Sequence, residues 1–237
     1  MPAPIAVGFD FDHTLGIDNQ LERTIALEQL AKLAQKSGAT YDPADASAAI
    51  DEVLHSFRTS DLSIDSFIAG FFERFSPAGT AVLDAVGSFR DAVIEAAPNH
   101  VRALPGAIEL LAELDRLGIP YAILTNGWSP LQEEKARLIG FRGPVFVSER
   151  IGARKPKREA FAMLAKHFEM PFERIWYVGD DPAIDCAGAA ELGMTSVWFD
   201  WEGHGFPLDV RRPSHVIHAL GDLPPLLVAA TGGASCA

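Results

Sequence analysis

Ile5-Ala6-Val7-Gly8-Phe9-Asp10-Phe11-Asp12-His13-Thr14-Leu15 is the stretch from which the fold is read. An apolar run of strand length ends in two carboxylates at i and i+2, with a hydroxyl two residues further on and Gly16 opening a loop. This pattern predicts a buried strand that carries its chemistry at its C-terminal end. In an open α/β sheet the carboxyl ends of the strands form the ligand crevice, so Asp10 and Asp12 would stand at the mouth of a site. A strand that stayed regular would point both carboxylates to one face. Like charges side by side in a low-dielectric cleft ask for a cation, a shared proton, or both. Taken alone, the same residues also fit an acidic strand end frayed into solvent.

Working outward, 237 residues, 48% hydrophobic and 22% charged, permit one large domain or two modest ones with a real core. The net charge of -12 and the pI of about 4.9 argue against electrostatic binding to nucleic acid or to an anionic membrane. An anionic small substrate would then need local positive charge and a metal. The 2 cysteines, Cys186 and Cys236, form neither a disulfide framework nor a zinc-ligand spacing. Met1-Pro2-Ala3-Pro4 lacks a basic region and runs into the first strand, so no secretory signal is expected and a cytoplasmic protein is the default. The apolar run at 226–230 is too short to span a bilayer.

After the first motif the periodicity becomes helical. Asp18 is placed to cap a helix with Leu21, Ile25, Leu30, Leu33 and Ala34 on its apolar face, ending at Gly38. Asp42-Pro43 starts a second helix carrying Ile50, Val53, Leu54 and Phe57. Ser63 starts a third with Ile64, Phe67, Ile68, Phe71, Phe72 and Phe75, and a fourth is expected over about 79–97, breaking at Pro98. The phenylalanine stripe reads as the insert's own core, the alternative being an aromatic wall against substrate. Arg23, Arg58, Arg74, Arg90 and His55 in this region could meet a second anionic group, or could be solvated helix residues.

From Leu104-Pro105-Gly106 helices and strands alternate: helix 107–117, strand Tyr121-Ala122-Ile123-Leu124 ending at Thr125, helix 128–139, strand Val145-Phe146-Val147, helix 157–168, strand Ile175-Trp176-Tyr177-Val178, helix 184–192 and strand Thr195-Ser196-Val197-Trp198-Phe199. Single helices between strands predict right-handed crossovers and a mostly parallel, doubly wound, Rossmann-like α/β sheet. Residues 231–237 read as a small, polar tail.

Four pieces in order resemble the haloacid dehalogenase superfamily of aspartate-nucleophile phosphotransferases: Asp10-Phe11-Asp12-His13-Thr14, Thr125-Asn126-Gly127, Lys155-Pro156 and Gly179-Asp180-Asp181-Pro182-Ala183-Ile184-Asp185. Many members carry glycine at the position of His13. The resemblance implies a core domain of residues 1–16 and 101–237 and an α-helical cap domain of residues 17–100, inserted after the first motif and closing over the active site. It also implies a hydrolase of phosphate monoesters. Asp10 would be the nucleophile that forms an aspartyl-phosphate, Asp12 the general acid and base, and Lys155 the cation bridging nucleophile and phosphoryl group. Thr125, with Asn126 and the amide of Gly127, would bind substrate phosphate. Asp10, Asp180, Asp185 and the main-chain carbonyl of Asp12 would hold Mg2+, with Asp181 as the alternative to Asp185. Hard oxygen ligands that leave several waters in place suit Mg2+ rather than zinc.

The expected partner is therefore a small phosphorylated metabolite, with neither nucleic acid nor membrane, and the protein a monomer or homodimer. A dehalogenase of small acids, a phosphomutase and a non-catalytic binding protein on the same scaffold are the alternatives. A halide leaving group needs no proton, so the dehalogenase branch lacks an acid where Asp12 stands. Phosphoglycolate phosphatases, sugar phosphatases and nucleotidases resemble the sequence about equally.

Overall fold

The computed structural model describes residues 4–60, 62–75 and 80–232. Strand β1 (Ala6–Phe9) opens the fold and a two-residue ribbon strand, β2 (Gly16–Ile17), follows it. Helices α1 (Leu21–Ser37), α2 (Pro43–Thr59), α3 (Ile64–Phe75) and α4 (Thr80–His100) lead to β3 (Arg102–Ala103), which pairs antiparallel with β2. The chain continues through α5 (Ala107–Leu117), β4 (Tyr121–Thr125), α6 (Leu131–Leu138), β5 (Val145–Val147) and two helices, α7 (Ser148–Ile151) and α8 (Arg158–Phe168). Strand β6 (Ile175–Gly179) precedes α9, a π-helical turn (Pro182–Ala187) running into α-helix (Gly188–Glu191), and β7 (Thr195–Phe199), β8 (His215–Ile217) and α10 (Leu223–Ala230) follow.

The six-stranded sheet has the order β5-β4-β1-β6-β7-β8, and all five pairings are parallel. β1 sits between β4 and β6, where the direction of winding reverses. At such a switch point the loops leaving neighbouring strands part, and their carboxyl ends frame a crevice. The central strands are buried on both sides, as their near-continuous apolar sequences demand. Alternation sends Ala122, Leu124, Ile175 and Tyr177 to one face, where Phe161 and Leu164 of α8 and Ala189 of α9 cover them. Ile123, Trp176 and Val178 face the other side, against Leu110 and Leu114 of α5 and Leu227 of α10.

The four-helix insert is continuous with this second layer. α1 packs on α4 and α2, and α3 on α2 and α4. Phe71, Phe72 and Phe89 are buried, and Phe71 makes edge-on contacts with Phe75. Each buried phenylalanine contributes about 2–3 kcal/mol of transfer free energy. The insert touches the core through α4 on α6 and through the Arg154 guanidinium, which lies 4.6 Å over the ring of Phe57 in α2.

Several boundaries differ from the sequence expectation. Asp18 does not cap α1: its Oδ1 accepts the Gln20 N–H at 3.1 Å, and Gln20, in the left-handed region at φ 60°, stands at the helix start. Helix α4 runs through Pro98, because the missing N–H costs one bond and Val101 resumes the ladder to the Ala97 carbonyl at 2.9 Å. Helix α6 begins at Leu131 rather than 128, since the residue before Pro130 is disfavoured in α conformation. The helix after β6 starts earlier than 184, as a π turn capped by Asp181. The β2–β3 ribbon, α7, β8 and α10 were not anticipated. The expected helix start near Gly79, residues 1–3 of the N-terminus, Cys236 and most of the 231–237 tail lie outside the described residues.

Candidate active site

The ends of three adjacent strands supply the site. β1 delivers Asp10, whose N–H donates to the Val178 carbonyl on β6 at 2.9 Å. β4 ends in buried Thr125, and β6 ends in Gly179 with Asp180 and Asp181 directly after it. Lys155, from the loop before α8, sends its Nζ between the elements, 2.6 Å from Asp10 Oδ1 and 2.7 Å from Asp185 Oδ1. Asp185 reaches the centre because Gly179 has no side chain: a Cβ there would overlap the Asp185 carboxylate. Together these groups line a cavity of about 120 Å³, the size of a phosphoryl-like group rather than a metabolite.

Asp10, Asp180 and Asp185 each bring one carboxylate oxygen to within 4.8 Å of the others. Burial and the charges of Asp10 and Asp185 push Asp180 up to about 8. Burial likewise pushes Asp185 up to about 7, with Lys155 opposing and Asp10 adding to the shift. Burial alone would lower Lys155, but the two carboxylates it joins hold it well above the usual lysine range. This is a hard-oxygen donor set of the kind divalent cations take, and its crowding fits a site meant to hold added positive charge. Asp181 is turned elsewhere: its Oδ1 accepts the N–H groups of Ala183 and Ile184 at 2.8 Å, capping α9. Of the two candidates for the second carboxylate, Asp185 is the one that faces the cluster.

Asp12 stands at the rim, one residue beyond buried Phe11. Lys135 Nζ lies 3.0 Å from its Oδ1 and the Gln132 amide donates to Oδ2 at 3.1 Å. Burial pushes Asp12 up, but Lys135, Arg58 and the Gln132 hydrogen bond together hold its carboxyl below the usual aspartate range. Lys135 is itself buried and also pairs with Asp18 Oδ2 at 2.5 Å. His13, next in sequence, has φ 59°, a conformation that glycine adopts freely and other residues at a cost of about 1 kcal/mol. Its ring points outward, with the Trp201 ring centroid at 6.5 Å.

Residues 6–193 match the family described as haloacid dehalogenase-like hydrolases. The chain belongs to this family. Among curated proteins the hydrolase is 30% identical to the phosphoserine phosphatase of Thermus thermophilus over 81% of this chain and 86% of that one. It is 28% identical to the ribulose-1,5-bisphosphate 5-phosphatase of Halopiger xanaduensis over 94% of this chain and 98% of that one. A solved HAD phosphatase from Thermococcus onnurineus shares the fold, with a TM-score of 0.74 at 22% identity over 97% of this chain and 98% of that one.

Sequence reading of the hydrolase brought Asp10, Asp12, Thr125, Lys155, Asp180 and Asp185 to one crevice, and the structure places them there. Two expected phosphate donors make protein contacts of their own, Asn126 while lining the cavity. The Gly127 N–H is spent on Ser148 Oγ at 3.0 Å, and glycine is needed because a Cβ would press on Gln132 at 2.7 Å. The Asn126 side chain clamps the Lys155 backbone, donating to its carbonyl at 3.0 Å and accepting its N–H at 2.9 Å. Lys135 and Gln132 were missed, since their approach to Asp12, like the pairing of Lys135 with Asp18, depends on the docking of α6 and not on any local pattern. No described helix of the hydrolase is long and apolar enough to cross a membrane.

Proposed function

We propose that the hydrolase is a Mg2+-dependent phosphatase of small phosphorylated metabolites, working through an aspartyl-phosphate on Asp10. That it hydrolyses phosphate esters follows its family and the phosphatases it resembles. The observation that carries the finer reading is Lys155 Nζ, held 2.6 Å from Asp10 Oδ1 in a small buried cavity shared with Thr125, Asp12 and Asp180.

A carboxylate is a competent nucleophile without a base to activate it, so Asp10 would attack phosphorus directly and displace the ester oxygen in line. Lys155 would neutralise charge between Asp10 and the phosphoryl oxygens, and the Asn126 clamp would fix its backbone while it does so. The Thr125 hydroxyl would hold a phosphoryl oxygen. Asp12, held ionised in the free enzyme by Lys135 and Arg58, would take up a proton as the anionic ester arrives and raises its proton affinity, hand it to the leaving oxygen, then take one from the water that attacks the aspartyl-phosphate. Asp10, Asp180, Asp185 and the Asp12 main-chain carbonyl would hold Mg2+, which supplies further neutralisation of the transferring group. A dehalogenase displacing halide would have no use for a proton donor at Asp12.

Residues 17–100 would act as a cap domain over the core of residues 1–16 and 101–237, excluding water from the first step. Phosphate release should stop when divalent metal is chelated and return with Mg2+, and Asp10→Asn should form no phosphoenzyme. Full turnover in excess chelator, or a phosphorylated Asp10→Asn chain, would overturn this assignment.

A further inference from the structure

Beside the small phosphoryl cavity lies an open cleft of about 610 Å³ between the core loops and helix α2. Among the described residues only three line both spaces: Asp12, His13 and Arg58. In a phosphatase with Asp10 at the cavity floor, the ester oxygen leaves toward this junction and the rest of the substrate occupies the cleft.

The charges around the cleft are almost all spoken for. Asp18 pairs with Lys135, Glu22 accepts the Trp128 indole N–H at 2.6 Å, and Glu202 faces His204 at 3.4 Å. Arg23 pairs with Asp51 at 2.8 Å and donates to Ser47. Elsewhere in the insert Arg74 pairs with Asp45, and Arg90 with Asp65 and Glu149. Arg58 is different. Its guanidinium makes no hydrogen bond or ion pair among the described residues, and its field reaches Asp12. A basic residue in the last turn of a helix offsets the helix dipole wherever it points. That role does not require it to face the reaction centre, and solvent was available on the other side of α2.

We propose that Arg58 is a specificity-determining residue that binds a second anionic group on the substrate, placed within a few bonds of the ester oxygen. This rests on the phosphatase reading above and narrows its substrate class to phosphate esters whose leaving group carries a carboxylate or another phosphate. The reach follows from position: a group held at the junction cannot be far along the leaving group. The sign follows from charge, since a chain of net charge -12 gains affinity for a dianionic or trianionic ester only through local cations. Arginine's planar fork suits either oxyanion.

The test compares matched substrates in the wild-type holoenzyme, Arg58→Ala and Arg58→Lys. 3-Phosphoglycerate and glycerol 3-phosphate differ in a carboxylate, and ethylene glycol bisphosphate and 2-hydroxyethyl phosphate in a second phosphate, each within a few bonds of the ester oxygen. Wild-type kcat/KM should favour the anionic member of at least one pair, and which pair distinguishes carboxylate from phosphate. Arg58→Ala should lose about tenfold or more on that member, mostly through KM, because a hydrogen bond to a charged group is worth that much. Loss of a charge beside Asp12 can shift all substrates together, so the decisive readout is the anionic-to-neutral ratio of kcat/KM, which should fall about tenfold in Arg58→Ala and by less in Arg58→Lys. Equal losses on anionic and neutral members would mean that Arg58 grips the transferred phosphoryl group, and would overturn the proposal. So would a wild-type preference for both neutral members. If wild type released phosphate from none of these substrates, p-nitrophenyl phosphate included, the phosphatase reading itself would fall.

Discussion

Lys135 Nζ stands 3.0 Å from Asp12 Oδ1, and the same ammonium holds Asp18 at 2.5 Å. One buried cation in the core thus ties the residue at the end of the first strand to the first residues of the insert.

Lys135→Met would leave two neighbouring carboxylates without their counter-ion. Removing one partner of a buried ion pair costs about 3–5 kcal/mol. The urea unfolding midpoint should fall accordingly, and turnover of an alkyl phosphate should fall with it as Asp12 loses its anchor. An unchanged midpoint would show that the pair contributes nothing to folding.

Asp12→Asn keeps the nucleophile and removes the proton carrier. An activated aryl phosphate or acetyl phosphate should still phosphorylate this variant, while the water step slows by about two to four powers of ten. Intact-mass measurement should then find a phosphorylated chain, with the added mass on the peptide that contains Asp10. Wild-type turnover of an alkyl ester, or phosphate on another residue, would sink the assignment.

Gly179→Ala should weaken the metal site and also cost stability, because the new methyl meets Asp185 at its Cβ as well as its carboxylate. The added methyl would push Asp185 away from Asp10 and Asp180, so the Mg2+ concentration for half-maximal activity should rise, by about tenfold for every 1.4 kcal/mol of binding lost. Titration of activity against Mg2+ measures this directly, and an unchanged curve would remove Asp185 from the proposed ligand set.

Asn126→Ala would free the backbone that carries Lys155, at a cost of about 1–3 kcal/mol for two hydrogen bonds. We expect kcat to drop by about tenfold or more while the KM of p-nitrophenyl phosphate moves little. Parallel losses in both would instead indicate direct contact with substrate.

Cys186 offers a check on burial. Its side chain is 1% exposed, and burial together with Asp185 pushes the thiol well above the usual cysteine range. The thiolate is the reactive form, so iodoacetamide should leave the Cys186 peptide unlabelled in the native protein and label it in denaturant. Native labelling would show that α9 opens.

The parts legible in the sequence were those that a single strand end specifies. Asp10, Thr125 and Asp180 each follow an apolar run, and a parallel sheet with its switch point at β1 then brings them together without further information. Lys135 lies in a highly charged stretch, Gln132-Glu133-Glu134-Lys135-Ala136-Arg137, that reads as a solvated surface; only the docking of α6 against α4 and Asp12 buries it. The protein partners of Asn126 and Gly127 are not legible in the sequence, because they are Lys155 and Ser148, 29 and 21 residues away. β8 escaped notice for a different reason. A three-residue edge strand, His215-Val216-Ile217, is too short for alternation to register.

The chain enters the helical insert at Gly16–Ile17 and leaves it at Arg102–Ala103, and these two crossings are zipped to each other as an antiparallel ribbon, with Leu104 N–H donating to the Leu15 carbonyl at 2.9 Å beside them. Entry and exit therefore share one doorway. A segment bounded in this way is a cassette: a different length of chain, or a short turn, spliced between the ribbon strands would leave every strand of the parallel sheet in its present neighbourhood. The apparatus anchored on β1, β4 and β6 and the surface that chooses what it acts upon are then free to diverge separately.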